Sequence, residues 1–118
     1  MPRETSVLSL NPDRQSLLDH ESALRESGFA VTSVYSPLQA RFEIEMGRCG
    51  VFLTSYITPL VIYQDLASLF KRSCTSGLVA YVARRQEAIP GADILLSDQD
   101  EPRSIVERLR SKQAAKAS

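Results

Sequence analysis

The sequence predicts an α/β fold: a five-stranded, mostly parallel sheet between two layers of helices. Three observations carry that prediction. Apolar runs of strand length alternate five times with helix-like segments, and the connections between them are short. The run Val51-Phe52-Leu53 has no polar position to turn toward water, as expected of a parallel strand buried on both faces. Prolines and glycines stand where helices should begin and stop. Right-handed crossovers then make a doubly wound, three-layer sheet the expected arrangement.

The elements follow in order. Ser6-Val7-Leu8-Ser9-Leu10 is a first strand that stops at Asn11-Pro12-Asp13, where asparagine reads as an N-cap and proline as the first helical residue. The helix carries Leu17, Leu18 and Leu24 on one side, and Gly28 supplies a left-handed stop. Phe29 to Val34 is a second strand rich in β-branched residues. Ser36-Pro37 repeats the cap-and-proline device and opens a helix with Leu38, Phe42 and Met46 as its apolar stripe. Gly47 and Gly50 break it before the third strand. Ile62, Leu66, Leu69 and Phe70 mark a third helix ending near Ser73. Gly77 to Ala83 and Ala92 to Leu96 are the last two strands. Pro102 starts a final helix bearing Ile105, Val106 and Leu109. Residues 1–112 read as one domain, and 113–118 as a polar tail with no apolar face to bury.

The totals bound the function. A chain of 118 residues is long enough for one core without staples. Fourteen basic residues balance fourteen acidic ones, whereas binders of nucleic acid or anionic membrane show a basic excess; neither partner is expected. Cys49 and Cys74 have no metal-like spacing and read as buried or half-buried thiols in a reducing compartment. No apolar leader or membrane-length run is present, so a cytoplasmic location is expected.

Chemistry in an open parallel sheet gathers beyond the C-terminal strand ends. There the third strand closes in Thr54-Ser55 and leads through Thr58 to Pro59. Those hydroxyls read as a strand end bonded to its own backbone, with a ligand-binding cluster as the sharper alternative. His20, beside Asp19 on the first helix, reads as a surface histidine carried away from Ser55, not as a catalytic partner. Lys71 and Arg72 suit the C-terminal dipole of the third helix. Arg84 and Arg85 follow the fourth strand and should emerge at the crevice, as a solvated turn or as a contact for an anion or acidic partner. Neither common phosphate-cradling glycine motif occurs, and no cofactor is expected.

The stretch Val51 to Pro59 resembles the third strand and following loop of a response-regulator receiver domain, and the likeness extends from about Val7 to about Lys112. It implies the flavodoxin-like strand order 2-1-3-4-5. In receivers an aspartate four residues before the proline accepts a phosphoryl group; here Ser55 stands there. The acidic pair that holds magnesium reads Asn11 and Pro12, the hydroxyl residue of the fourth strand reads Val82, the switch aromatic reads Leu95, and the lysine reads Asp98. Aspartyl phosphorylation needs a carboxylate nucleophile and a shielding cation. The segment Ala83 to Pro90 leaves room for one helical turn, so the fourth receiver helix should be shortened or absent. The resemblance therefore implies a pseudo-receiver of two-component type. Such a module signals without phosphorylation through an unidentified protein partner and is not an enzyme. The alternative is a small-ligand or anion sensor using a crevice lined by Asn11, Ser55, Thr58 and Arg84.

Overall fold

A computed structural model describes residues 2–85 and 87–117. A short 3-10 turn, Arg3–Thr5, leads into β1 (Ser6–Leu10), α1 (Arg14–Glu26), β2 (Ala30–Val34) and α2 (Pro37–Met46). β3 (Val51–Ser55), α3 (Leu60–Ser73), β4 (Leu78–Ala83), β5 (Ile94–Ser97) and α4 (Pro102–Ala117) follow. All strand pairings are parallel, in the order β2-β1-β3-β4-β5. The predicted three-layer α/β class and the strand order both hold.

Two cores lie on the two faces of the sheet. Alternate residues of β1, β3 and β4 point opposite ways: Leu8, Phe52 and Val79 join one core, while Val7, Leu53 and Ala80 join the other. The first core is closed by α2 and α3 through Ile44, Tyr63, Leu66 and Phe70; the second is closed by α1 and α4 through Leu24, Ile105 and Leu109. β3 and β4 are buried along their whole length, which explains the apolar runs Val51-Phe52-Leu53 and Leu78 to Ala83.

Local details depart from the sequence expectations. Asn11 does not cap α1. Its backbone N–H donates to Val34 O across to β2 (3.2 Å), so Asn11 still belongs to the sheet. Its Oδ1 instead accepts from Asp13 N (2.9 Å), and Asp13 is the cap, with Oδ2 accepting from Ser16 N (3.2 Å). Ser36 caps α2 as predicted, its Oγ accepting from Gln39 N (3.3 Å), and Gly47 ends the helix at φ 69°.

The apolar stripe assigned to α2 faces the wrong way. Ala40 and Ile44 are the residues buried against the sheet, whereas Leu38, Phe42 and Met46 are 79%, 58% and 52% exposed. Both sides of this helix are apolar, so periodicity alone could not choose between them. Tertiary packing makes the choice: Ala40 and Ile44 join the first core with Leu8, Phe52 and Tyr63.

β5 begins two residues later than predicted. Asp93 precedes it and acts as a clamp: its Oδ2 accepts from Val79 N (2.8 Å) and from Lys71 Nζ, while its own N–H donates to Val79 O (2.8 Å). Lys71 thus serves the β4–β5 junction and the Gly77 carbonyl (2.8 Å), not only the helix dipole. Among the described residues between β4 and β5 there is no helix; Gln86 lies outside them. The connection instead lies over α3, where Tyr63 Oη donates to Pro90 O (3.1 Å) and Ile89 and Ala92 pack on the first core.

α4 continues past Lys112 to Ala117. Gln113 Nε2 donates to Glu4 O (2.6 Å) and Lys116 Nζ to Ser76 O (2.6 Å), so polar contacts tether a segment that has no apolar face to bury. Ser118 lies outside the described residues.

Candidate functional site

The C-terminal ends of β1, β3 and β4 bring Asn11, Ser55 and Val82 together, with Ser55 directly opposite Val82 in the ladder. The arrangement is closed. Thr54 Oγ1 donates to Leu10 O (3.1 Å), which uses its only proton. The Thr54–Thr58 contact (3.1 Å) must therefore be donated by Thr58. Ser55 Oγ accepts from Ile57 N (3.4 Å), Thr58 N donates to Ser55 O (3.1 Å), and Tyr56 N donates to Val82 O (3.0 Å). Asn11, Ser55 and Thr58 are 2%, 3% and 1% exposed. The hydroxyl cluster ties β1 to β3 and folds the β3–α3 loop onto itself. Of the four residues expected to line a ligand crevice, only Arg84 is presented to solvent.

The remaining sequence-marked residues scatter around this plug. Pro12 and Asp98 are exposed, and Asp98 N donates to Ala83 O (3.0 Å). Val82 is buried in the second core, and Leu95 packs at the margin of the first. His20 is half-buried in the middle of α1, not on the surface as expected. Burial holds its pKa below the usual histidine range, opposed by the nearby Asp19 carboxylate. Cys49 and Cys74 are free and buried, and burial pushes the Cys49 thiol pKa up, with Glu43 adding to the shift. Among the described residues, no three His, Cys, Asp or Glu side chains group as metal ligands would.

Arg84 and Arg85 are exposed beyond β4, as expected. The Arg84 guanidinium sits 6.0 Å from the centroid of the Tyr56 ring, at the outer reach of a cation–π contact, so the tyrosine lies beneath it. Both arginines line an open cleft of about 490 Å³ with Arg108 of α4, Leu95, Leu96, Ser97 and Asp100. None of the three arginines forms an ion pair among the described residues. Asp100 is engaged by the loop, its Oδ2 accepting from Ser97 N (2.9 Å). Arg108 had no signal in the sequence. It is one cation on the polar side of α4, and only the packing of α4 beside β5 brings it to Arg84 and Arg85.

No protein-family model matches the sequence, and no curated protein matches it. Solved structures do. A chemotaxis response regulator of Vibrio cholerae aligns with a TM-score of 0.79 at 12% identity, over 91% of this chain and 97% of that one. A response regulator receiver protein from Sinorhizobium medicae gives 0.75 at 18% identity, over 93% and 94% of the two chains. A two-component response regulator from Clostridium difficile gives 0.78 at 13% identity, over 96% and 98%. The chain has the receiver fold. At these identities the likeness is one of fold, and its chemistry has to be read from the residues themselves. Against the receiver pattern, the β4–β5 connection departs in having no helix among its described residues.

Proposed function

We propose that this chain is a receiver-like signalling module that binds a protein partner in the cytoplasm without being phosphorylated. The observation that carries the reading is Ser55. It stands where the receiver resemblance puts the phosphoryl-accepting aspartate, it is buried, and its hydroxyl is engaged by the Ile57 amide. Among the described residues no base is hydrogen-bonded to it, and a serine hydroxyl without a positioned base is a weak nucleophile.

The donor set does not fit magnesium. That ion prefers near-ideal octahedral oxygen coordination with one or two carboxylates. Asn11 offers a neutral amide oxygen already taken by Asp13 N, and Pro12 has no side-chain oxygen. On this reading the strand-end chemistry is lost, the hydroxyls have become a structural plug, and the chain is not an enzyme.

What remains available for recognition is the arginine cleft. Arg84, Arg85 and Arg108 present guanidinium forks that form no ion pair among the described residues, a chemistry suited to acidic side chains of another protein. The cleft also supports the second reading, an anion sensor. That site would lie beside β5 and not in the closed crevice at Asn11 and Thr58.

Intact-mass measurement after incubation with acetyl phosphate and magnesium tests the proposal. No phosphoryl adduct is expected. A stoichiometric adduct mapped to Ser55 would overturn it.

A further inference from the structure

The N-terminal end of the sheet, opposite the arginine cleft, holds a cavity of about 550 Å³, a size that suits a small molecule. Three segments build it: the 3-10 turn Arg3–Thr5, the turn between α3 and β4, and the last turns of α4. Its buried lining residues, Gly50, Cys74 and Leu78, form the floor, and exposed polar residues form the rim. Gly50 N donates to Arg3 O (2.8 Å), and a Cβ at residue 50 would stand 2.4 Å from that oxygen. Glycine is therefore what lets the 3-10 turn close down on the start of β3.

The rim is charged. Arg3 Nη2 donates to Ser73 O (3.4 Å) and Lys116 Nζ to Ser76 O (2.6 Å), so cations from the 3-10 turn and from α4 are anchored on one short turn. Neither forms an ion pair among the described residues. A guanidinium carries five N–H donors and an ammonium three, more than these carbonyls take up. Among the described residues lining the cavity, Glu4 sets one carboxylate against the two cations. The rim therefore suits a single negative charge, and the floor suits an apolar body.

We propose that this cavity binds a small monocarboxylate with an aliphatic body, its carboxylate held by Arg3 and Lys116 and its chain laid against Cys74 and Leu78. A dianion would bring a second negative group beside Glu4, and a neutral ligand would leave both cations unmatched. The proposal does not depend on the fate of Ser55 or on the arginine cleft, which lie at the other end of the strands.

Amide NMR of the full chain, titrated with octanoate and separately with octanol, tests it. Octanoate should saturate, with its largest shifts at Gly50, Cys74 and Leu78. It should bind more tightly than octanol, and sodium chloride should weaken it. Arg3→Gln and Lys116→Gln should each weaken octanoate about fivefold, as expected of exposed charge pairs, and leave octanol unaffected. That comparison separates recognition of the carboxylate from a merely structural role, because a loosened cavity would lose both ligands alike. Failure of octanoate to saturate overturns the proposal, as do shifts centred on Leu38, Phe42 and Met46 of α2 or equal affinities for octanol and octanoate. So does an Arg3→Gln, Lys116→Gln double variant that keeps the preference for octanoate.

Discussion

At the scale of single residues, the strand-end hydroxyls hold the architecture together. Thr54 donates to Leu10 O and accepts from Thr58, all in a buried setting, so its hydroxyl holds two elements and a loop at once. Thr54→Val keeps the shape and removes both bonds. It should cost about 1–3 kcal/mol in urea unfolding, the range for leaving buried polar partners unsatisfied. His20 behaves differently. Its folded-state pKa is lowered from 6.5 by burial, so the unfolded chain binds the proton more readily. Its contribution is present above that value and is lost as pH falls through it toward the folded pKa. Stability measured from pH 7 to pH 5 should therefore drop less in His20→Gln than in the wild type. The residue types of the site were legible in the sequence: Ser55, Asn11 and Pro12 stand out because they are not acidic. The burial of Ser55 and Asn11 was not legible, because it depends on bonds between strands and loops that no local pattern encodes.

At the scale of elements, β3 and β4 were readable almost to the residue, because buried parallel strands need apolar runs, and Val51-Phe52-Leu53 and Leu78 to Ala83 supply them. The helices were readable in position, through Ser36-Pro37 and Gly47, but α2 was not readable in orientation. Its two faces carry Leu38, Phe42 and Met46 on one side and Ala40 and Ile44 on the other, and only the tertiary contacts decide which is the core. Truncations should separate the faces. Ile44→Ala and, on α3, Leu66→Ala should each cost roughly 2–5 kcal/mol, as buried aliphatic side chains do. Leu38→Ala should stay within about 0.5 kcal/mol. Thermal or urea unfolding of the three variants checks this, and a large loss at Leu38 would mean that the helix is turned the other way. The start of β5 was misplaced because Asp93 looks like a strand residue in an apolar neighbourhood. Its carboxylate instead takes the place of a ladder partner for Val79 N and holds Lys71.

At the scale of the whole molecule, the order β2-β1-β3-β4-β5 is that of the receiver fold. The fold class followed from alternating patterns, and the strand order from the resemblance. The site was only partly legible: Arg84 and Arg85 follow a strand that points at the crevice, but Arg108 joins them from α4 through packing alone. The chain is electrically neutral overall, so an exposed cluster of three cations is a local feature and should recognise locally. Charge reversal of Arg84 and Arg85 should weaken partner binding and flatten its salt dependence, with little effect on stability. Under the proposed function, recognition is uncoupled from phosphorylation. The most direct measurement is capture of a protein partner on the tagged chain, followed by titration calorimetry of that partner with and without acetyl phosphate and magnesium. The account predicts the same affinity under both conditions, and a lower affinity for the Arg84→Glu, Arg85→Glu variant under either. An affinity that changes with the phosphodonor would contradict it.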